Sequence, residues 1–126
     1  MECESYIKRW VFDQMQQTYP HKILKIIYFD KGTILNSKNK FKPCFILQNL
    51  AGIYFYYKKL MHTQLVLKTF ISIYDIREIK YIDPKKRQIF TQYSDVTFTS
   101  DHIDQTIIKL RSARSFLFYK IPDLHS

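Results

Sequence analysis

The hydrophobic period changes twice along this chain, and each change marks a boundary. In residues 4 to 18, "ESYIKRWVFDQMQQT", Ile7, Val11 and Met15 recur at helical spacing with Trp10 beside them. Tyr19-Pro20 ends this predicted helix, because a residue before proline avoids α backbone. From 21 to 99 the period is two, and the pattern predicts seven short antiparallel strands. They are "KILKIIYF" (22–29), "CFILQ" (44–48), "IYFYYKK" (53–59), "LVLKTFISI" (65–73), "IREIKYI" (76–82), "QIFTQY" (88–93) and "DVTFT" (95–99). Turn chemistry separates them. Asp30-Lys31-Gly32 reads as a bend, "NSKNK" (36–40) as a polar loop and "NLAG" (49–52) as a hairpin loop with Gly52 free to take positive φ. Tyr74-Asp75 makes a tight corner, and "DPKKR" (83–87) is a turn with proline at its second position.

Helical spacing returns at 100–118, where Ile103, Ile107, Leu110, Ala113 and Leu117 line one face. Ser100 or Asp101 is the expected N-cap. Asp104 precedes Lys109, Arg111 and Arg114, as the helix dipole prefers. Alternation also assigns faces to the strands. Leu65, Leu67, Ile71 and Ile73 share one face. Ile53, Phe55 and Tyr57 point inward with Phe45 and Leu47, leaving Tyr54 and Tyr56 on the opposite side. An antiparallel set that curls on itself leaves an open side, and the last helix is the obvious cover for it.

Length and composition fit one domain over 1–126. With 126 residues, 46% of them hydrophobic and 17% aromatic, the chain can bury a real core. Glycine occurs twice, which argues against phosphate-cradling glycine loops. The two cysteines give no disulfide framework and fit a reducing, cytoplasmic compartment. "MECESYIKRW" has acids where a signal peptide has basic residues, and no apolar run reaches the roughly 20 residues of a membrane span.

Charge adds a direction. The formal net charge is +9, and residues 21 to 68 hold nine lysines against the single acid Asp30. So lopsided a segment favours an anionic partner: lipid headgroups, nucleic acid or an acidic protein face.

The order of elements, with "KFKPCFILQNLAGIYFYYKK", "LVLKTFISIYDIREIKYI" and the closing helix, resembles the pleckstrin-homology (PH) superfold over residues 21 to 118. The resemblance implies a mainly β fold: a seven-stranded, partly open antiparallel barrel closed by a C-terminal helix, here with an extra N-terminal helix. In many PH domains, basic residues run into an F-x-L-like apolar triplet in the second strand, and here "KFKP" runs into Cys44-Phe45-Ile46-Leu47. Two features depart from the pattern: the closing helix lacks tryptophan, and Pro43 occupies the basic position ahead of the triplet. PTB, EVH1 and FERM third-lobe domains share the fold and bind peptides. A leading helix before such a domain also resembles the N-terminus of CARMIL-type actin regulators, where it precedes leucine-rich repeats.

The chemistry expected is binding rather than catalysis. His21, His62, His102 and His125 are scattered without metal-ligand spacing, so no metal or other cofactor is expected. Cys44 falls inside a strand pattern, as a small core residue does. No carboxylate pair and no nucleophile motif stands out. "GIYFYYKK" is similar to the RNP1 motif of RNA-binding RRM domains, but Ile53 takes the place of its first aromatic. The loops at 30–42 and 58–64 join successive pairs of a meander and emerge at one end. They gather Lys31, Lys38, Lys40, Lys42, Lys58, Lys59 and His62, with Lys25 within reach. In PH domains that end binds headgroups. The resemblance therefore implies a peripheral module for anionic lipids, phosphoinositides included, at the inner membrane face. A peptide- or protein-binding scaffold is the alternative, and a nucleic-acid-binding domain the second alternative.

Overall fold

The fold comes from a computed structural model that describes residues 27–58 and 65–120, with side chains left aside at 58 and 116–120. The predicted helix over 4–18, the strand residues before 27 and the loop 59–64 lie outside the described residues. The strands are β1 (Tyr28–Leu35), β2 (Phe41–Asn49), β3 (Gly52–Lys58), β4 (Leu65–Ser72), β5 (Ile76–Asp83), β6 (Lys86–Thr91) and β7 (Asp95–Ser100). They form one antiparallel seven-stranded sheet in the order β4-β3-β2-β1-β7-β6-β5. The helix α1 (Ile103–Lys120) follows. This is a PH-like arrangement: a curled antiparallel sheet with one C-terminal helix packed on its interior.

The inward face holds the larger core. Ile46, Phe55, Ile89 and Phe98 are fully buried there, and Ile103, Ile107 and Leu110 of α1 join them. Phe55 and Phe98 meet edge to face, with ring centroids 5.2 Å apart, a geometry aromatic quadrupoles favour. The helical spacing of Ile103, Ile107, Leu110 and Ala113 is realised as one buried stripe. The opposite face of β1–β4 carries a second buried cluster of Phe29, Leu47, Tyr54, Tyr56 and Leu65.

Four expectations are corrected by register. Phe45 and Leu47 pair with Tyr56 and Tyr54, so they lie on the outward face, and Cys44 and Ile46 are the inward residues. "CFIL" is apolar on both faces, so alternation could not choose between them. Leu65 and Leu67 join the outward cluster while Ile71 is buried in the inward core, and Ile73, just past β4, is also buried. A β-bulge opposite Phe55/Tyr56 shifts the phase of β4 between them. Asp30-Lys31-Gly32 is not a bend but the middle of β1, paired with Ile46, Phe45 and Cys44. Gly32 is there because a Cβ would fall 1.9 Å from the Thr99 carbonyl oxygen of β7, a close approach that only glycine allows. The expected turn over 83–87 contracts to Pro84 and Lys85, with Lys86 and Arg87 already in β6. Gly52 does take a positive φ, 156°, and a Cβ there would meet the Ile71 carbonyl oxygen at 2.0 Å.

Candidate functional site

The β1–β2 turn is wired by one side chain. Asn36 Oδ1 accepts hydrogen bonds from the Lys38 and Lys40 amides at 2.9 and 3.0 Å. The Asn36 amide donates to the Lys40 carbonyl at 2.9 Å, and the Asn39 amide donates to the Asn36 carbonyl. Asn39 sits at φ 59°, a left-handed conformation that asparagine tolerates. This self-bonded turn fixes the backbone under Lys38 and Lys40, both exposed. Lys42 pairs with buried Ile34 and therefore shares its inward face, at the same end of the barrel.

Register shows what else gathers there. The β2–β3 ladder, extended from Phe45↔Tyr56, brings the backbone of Lys58 level with Pro43. The β1–β7 ladder brings the start of β7 beside the 36–40 turn, so the β6–β7 turn with Tyr93 lies at this end too. Tyr93 is 81% exposed. Of the predicted basic residues, the structure brings together Lys38, Lys40, Lys42 and the Lys58 backbone. Lys31 is not among them. It is exposed within β1, about 15 Å along the strand from the turn, and its carbonyl accepts from the Asp101 amide at the helix end. Lys25, Lys59 and His62 lie outside the described residues.

Beneath the turn, the inward wall is Cys44 and Tyr57. Burial, helped by the nearby Asp30 charge, pushes the Cys44 thiol up to about 12, so it stays protonated and unreactive. Burial, followed by the influence of Cys44, also raises the pKa of Tyr57. Its hydroxyl is buried and makes no hydrogen bond among the described residues.

A buried polar network occupies the opposite end. Asp30, 3% exposed, accepts hydrogen bonds from the Ser100 hydroxyl, from the His102 amide at 2.9 Å and from the Thr106 hydroxyl at 3.4 Å. The His102 Nδ1 lies 3.2 Å from its other oxygen. Gln48 Nε2 donates to the Thr106 carbonyl at 2.7 Å. Asp30 thus caps α1 from another strand, a role expected of Ser100 or Asp101. Serine, histidine and aspartate together resemble a hydrolytic triad in composition only. The Ser100 hydroxyl is spent on Asp30 rather than on His102, and Ser100 is 2% exposed, so no accessible nucleophile faces a base.

Burial pushes the Asp30 pKa up, yet hydrogen bonds from Ser100 and from the His102 and Lys31 backbone, with the His102 ring, outweigh it and leave the carboxyl below its ordinary value. A depressed carboxyl stabilises the fold fully above its unfolded pKa, and that stability is lost as pH falls through the folded value. Asp30→Asn is expected to cost roughly 1.5–3 kcal/mol at neutral pH, as lost hydrogen bonds to a buried charge do. Urea midpoints across the acid range check this: the variant's curve is flatter than wild type, and parallel curves would sever Asp30 from acid sensitivity.

Sequence reasoning passed over Asp30, Asn36 and Tyr93. Asp30 carried a signal, as the one acid in a strongly basic segment directly after an apolar run. Among the described residues, no group of three His, Cys, Asp or Glu is placed to hold a metal ion, and no helix is long and apolar enough to cross a membrane.

No protein-family model matches the chain, and no characterised protein matches it in sequence. Solved structures do share its fold. The N-terminal PH domain of the human ARAP2 protein superposes with a TM-score of 0.56 at 15% identity, covering 71% of this chain and 80% of that one. The C-terminal domain of an unknown protein from Leishmania infantum gives 0.62 at 13% identity, covering 82% and 94%. At these identities the likeness is one of fold alone, a PH-like arrangement.

Proposed function

We propose that this domain is a non-catalytic module that attaches to anionic membrane surfaces through its β1–β2 end. The observation that carries the reading is the turn wired by Asn36, which holds Lys38 and Lys40 exposed beside Lys42. Two further features support it. Tyr93 stands exposed at the same end, and an amphipathic ring suits the headgroup layer. Lys58 ends β3 at this end of the sheet, and Lys59 and His62 follow it in sequence. Lys25 and Lys31 are left as peripheral contributors.

Each lysine near an anionic leaflet contributes about 1 kcal/mol. Three to five give roughly 3–5 kcal/mol, a weak contact that recruits the domain alongside a second anchor. Pro43, exposed where PH-like strands place a basic residue, argues for charge-driven binding with modest headgroup selectivity. The cytoplasmic leaflet supplies that charge, which places the domain peripherally at the inner membrane face. Membership of a larger cytoskeletal regulator of the CARMIL type rests on sequence layout alone. A nucleic-acid platform is disfavoured because Tyr54 and Tyr56, 7% and 5% exposed, offer no rings for stacking bases.

Vesicle flotation tests the reading. The protein floats with phosphatidylserine or phosphoinositide vesicles at low salt, not with neutral phosphatidylcholine. Binding weakens at physiological salt, where screening acts over about 8 Å. Protein that stays unbound at low salt overturns the proposal.

A further inference from the structure

The outward face of β1–β4 is buried, yet no element among the described residues lies over it. Leu47 there is 0% exposed, and Phe29, Tyr54, Tyr56 and Leu65 are 6%, 7%, 5% and 7% exposed. Every member of this cluster comes from β1–β4. The stripe of α1, with Ile103, Ile107 and Leu110, belongs to the other face. An antiparallel sheet with one side in water alternates apolar and polar residues. Here both sides are apolar across four strands, and such a face is stable only under a second layer. The rings of Tyr54 and Phe70 meet at 4.5 Å, and those of Phe29 and Phe45 at 5.8 Å. Phe29, Tyr54 and Tyr56 have interactions beyond these.

Three stretches lie outside the described residues: 1–26, 59–64 and 121–126. The stretch 59–64 joins Lys58 to Leu65, which are paired neighbours, so its length is spent closing a hairpin. Residues 121–126 follow a helix packed on the other face. Residues 1–26 lead into Ile27, whose amide donates to the Gln48 carbonyl at 2.8 Å. Ile27 is two residues before Phe29 and so lies on the outward face. The stretch 1–26 contains the predicted helix over 4–18, with its stripe of Ile7, Trp10, Val11 and Met15. A helix of that length spans about 22 Å, against roughly 14 Å across four strands. The connector 19–26 reaches up to about 26 Å, enough for the chain to double back over the sheet.

We propose that residues 4–18 form a helix whose stripe of Ile7, Trp10, Val11 and Met15 covers the outward face of β1–β4. The sheet is then held between two helices, α1 on its inward side and this one on its outward side. The occupant of the face is the chain's own leading segment, not a second copy or another protein. Phe70, 42% exposed and paired with Tyr54, and Ile27, 37% exposed, mark the border of the covered area. A chain cut to begin at β1 presents this face to water, an apolar patch of the kind that drives association.

Trp10 is the single tryptophan, so fluorescence of the full chain reads the cover directly. Native emission is blue-shifted and shielded from iodide, and it moves to the red in urea together with the circular dichroism. Nuclear Overhauser contacts from the Trp10 indole to outward side chains such as Tyr54 and Leu67 locate it without any substitution. Ile7→Glu with Val11→Glu keeps Trp10 and releases the helix: emission shifts to the red and binding of an apolar dye rises severalfold. Phe70→Glu, at the border of the face, gives the same red shift if the paired variant loses its sheet dichroism. Ile108→Glu, at an exposed position of α1, leaves emission unchanged. Sedimentation at the assay concentration shows a monomer with Trp10 shielded. A solvent-exposed Trp10 in the folded protein overturns the inference, as do indole contacts to inward residues. Shielding that fades on dilution of a dimer overturns it too, by assigning the cover to a second copy.

Discussion

Leu110→Ala lowers unfolding stability by about 2–5 kcal/mol, the cost of emptying a buried leucine site. Leu110 is 1% exposed and belongs to the same core cluster as Phe55, Phe98 and Ile46. The helix is attached to the sheet through this stripe and through the Asp30 cap. Truncation leaves a void between two rigid layers, where collapse is hard. For a domain of this size the melting temperature falls by roughly 5–20 °C. Ile108, two positions away and 53% exposed, is the matched control, and Ile108→Ala stays within about 0.5 kcal/mol. Thermal denaturation by circular dichroism measures both. Equal melting temperatures for Leu110→Ala and wild type would sink the closing-helix account.

The triple change Lys38→Glu, Lys40→Glu, Lys42→Glu abolishes flotation with phosphatidylserine or phosphoinositide vesicles while the fold persists. Each reversal removes an attraction of about 1 kcal/mol and adds a repulsion of similar size, so three together exceed the whole contact. The fold survives because all three side chains are exposed and the turn is held by Asn36 and its backbone bonds. The control must be chosen with care. Arg87 is unsuitable, since it pairs with Asp104 at 3.3 Å, donates to the Asp83 carbonyl at 2.7 Å and stacks over Tyr81. Lys86 covers the Phe41 ring at 4.7 Å. Lys80→Glu with Lys109→Glu is the cleaner comparison, both residues being exposed and remote from the turn. A triple variant that floats as wild type does would remove the membrane reading.

Asn36 offers a subtler check on the same site. Asn36→Ala frees the Lys38 and Lys40 amides without altering charge. Vesicle binding is expected to weaken by a few-fold at constant net charge, because ordering the turn on contact then costs conformational entropy. Unchanged binding would show that only charge, and not its placement, matters.

The sequence by itself determined the elements. Alternation and turn residues marked the second to seventh strands in the right order, whereas the first was expected at 22–29 and β1 runs from Tyr28 to Leu35 through the expected bend; four-residue spacing marked the helix and the stripe it buries. These are local periodicities, and each can be read within a window of a dozen residues. The clustering of Lys38, Lys40 and Lys42 on one turn was equally legible, because neighbours in sequence stay neighbours in a tight turn. Tertiary structure decided whatever depends on a partner far along the chain. "CFIL" could have faced either way until Phe45 was paired with Tyr56. Leu65 and Leu67 changed sides because a bulge shifted the ladder. Lys31 left the lysine cluster when Gly32 proved to mark a close crossing with β7 rather than a bend. Asp30 found its role 70 residues away, at Ser100. A small pocket between β5 and α1 exists only because the helix folds back along that strand, bringing Arg111 and Arg114 to the same cavity as Arg77. Period fixes which residues share a face of their own element, and only register and packing decide what that face meets.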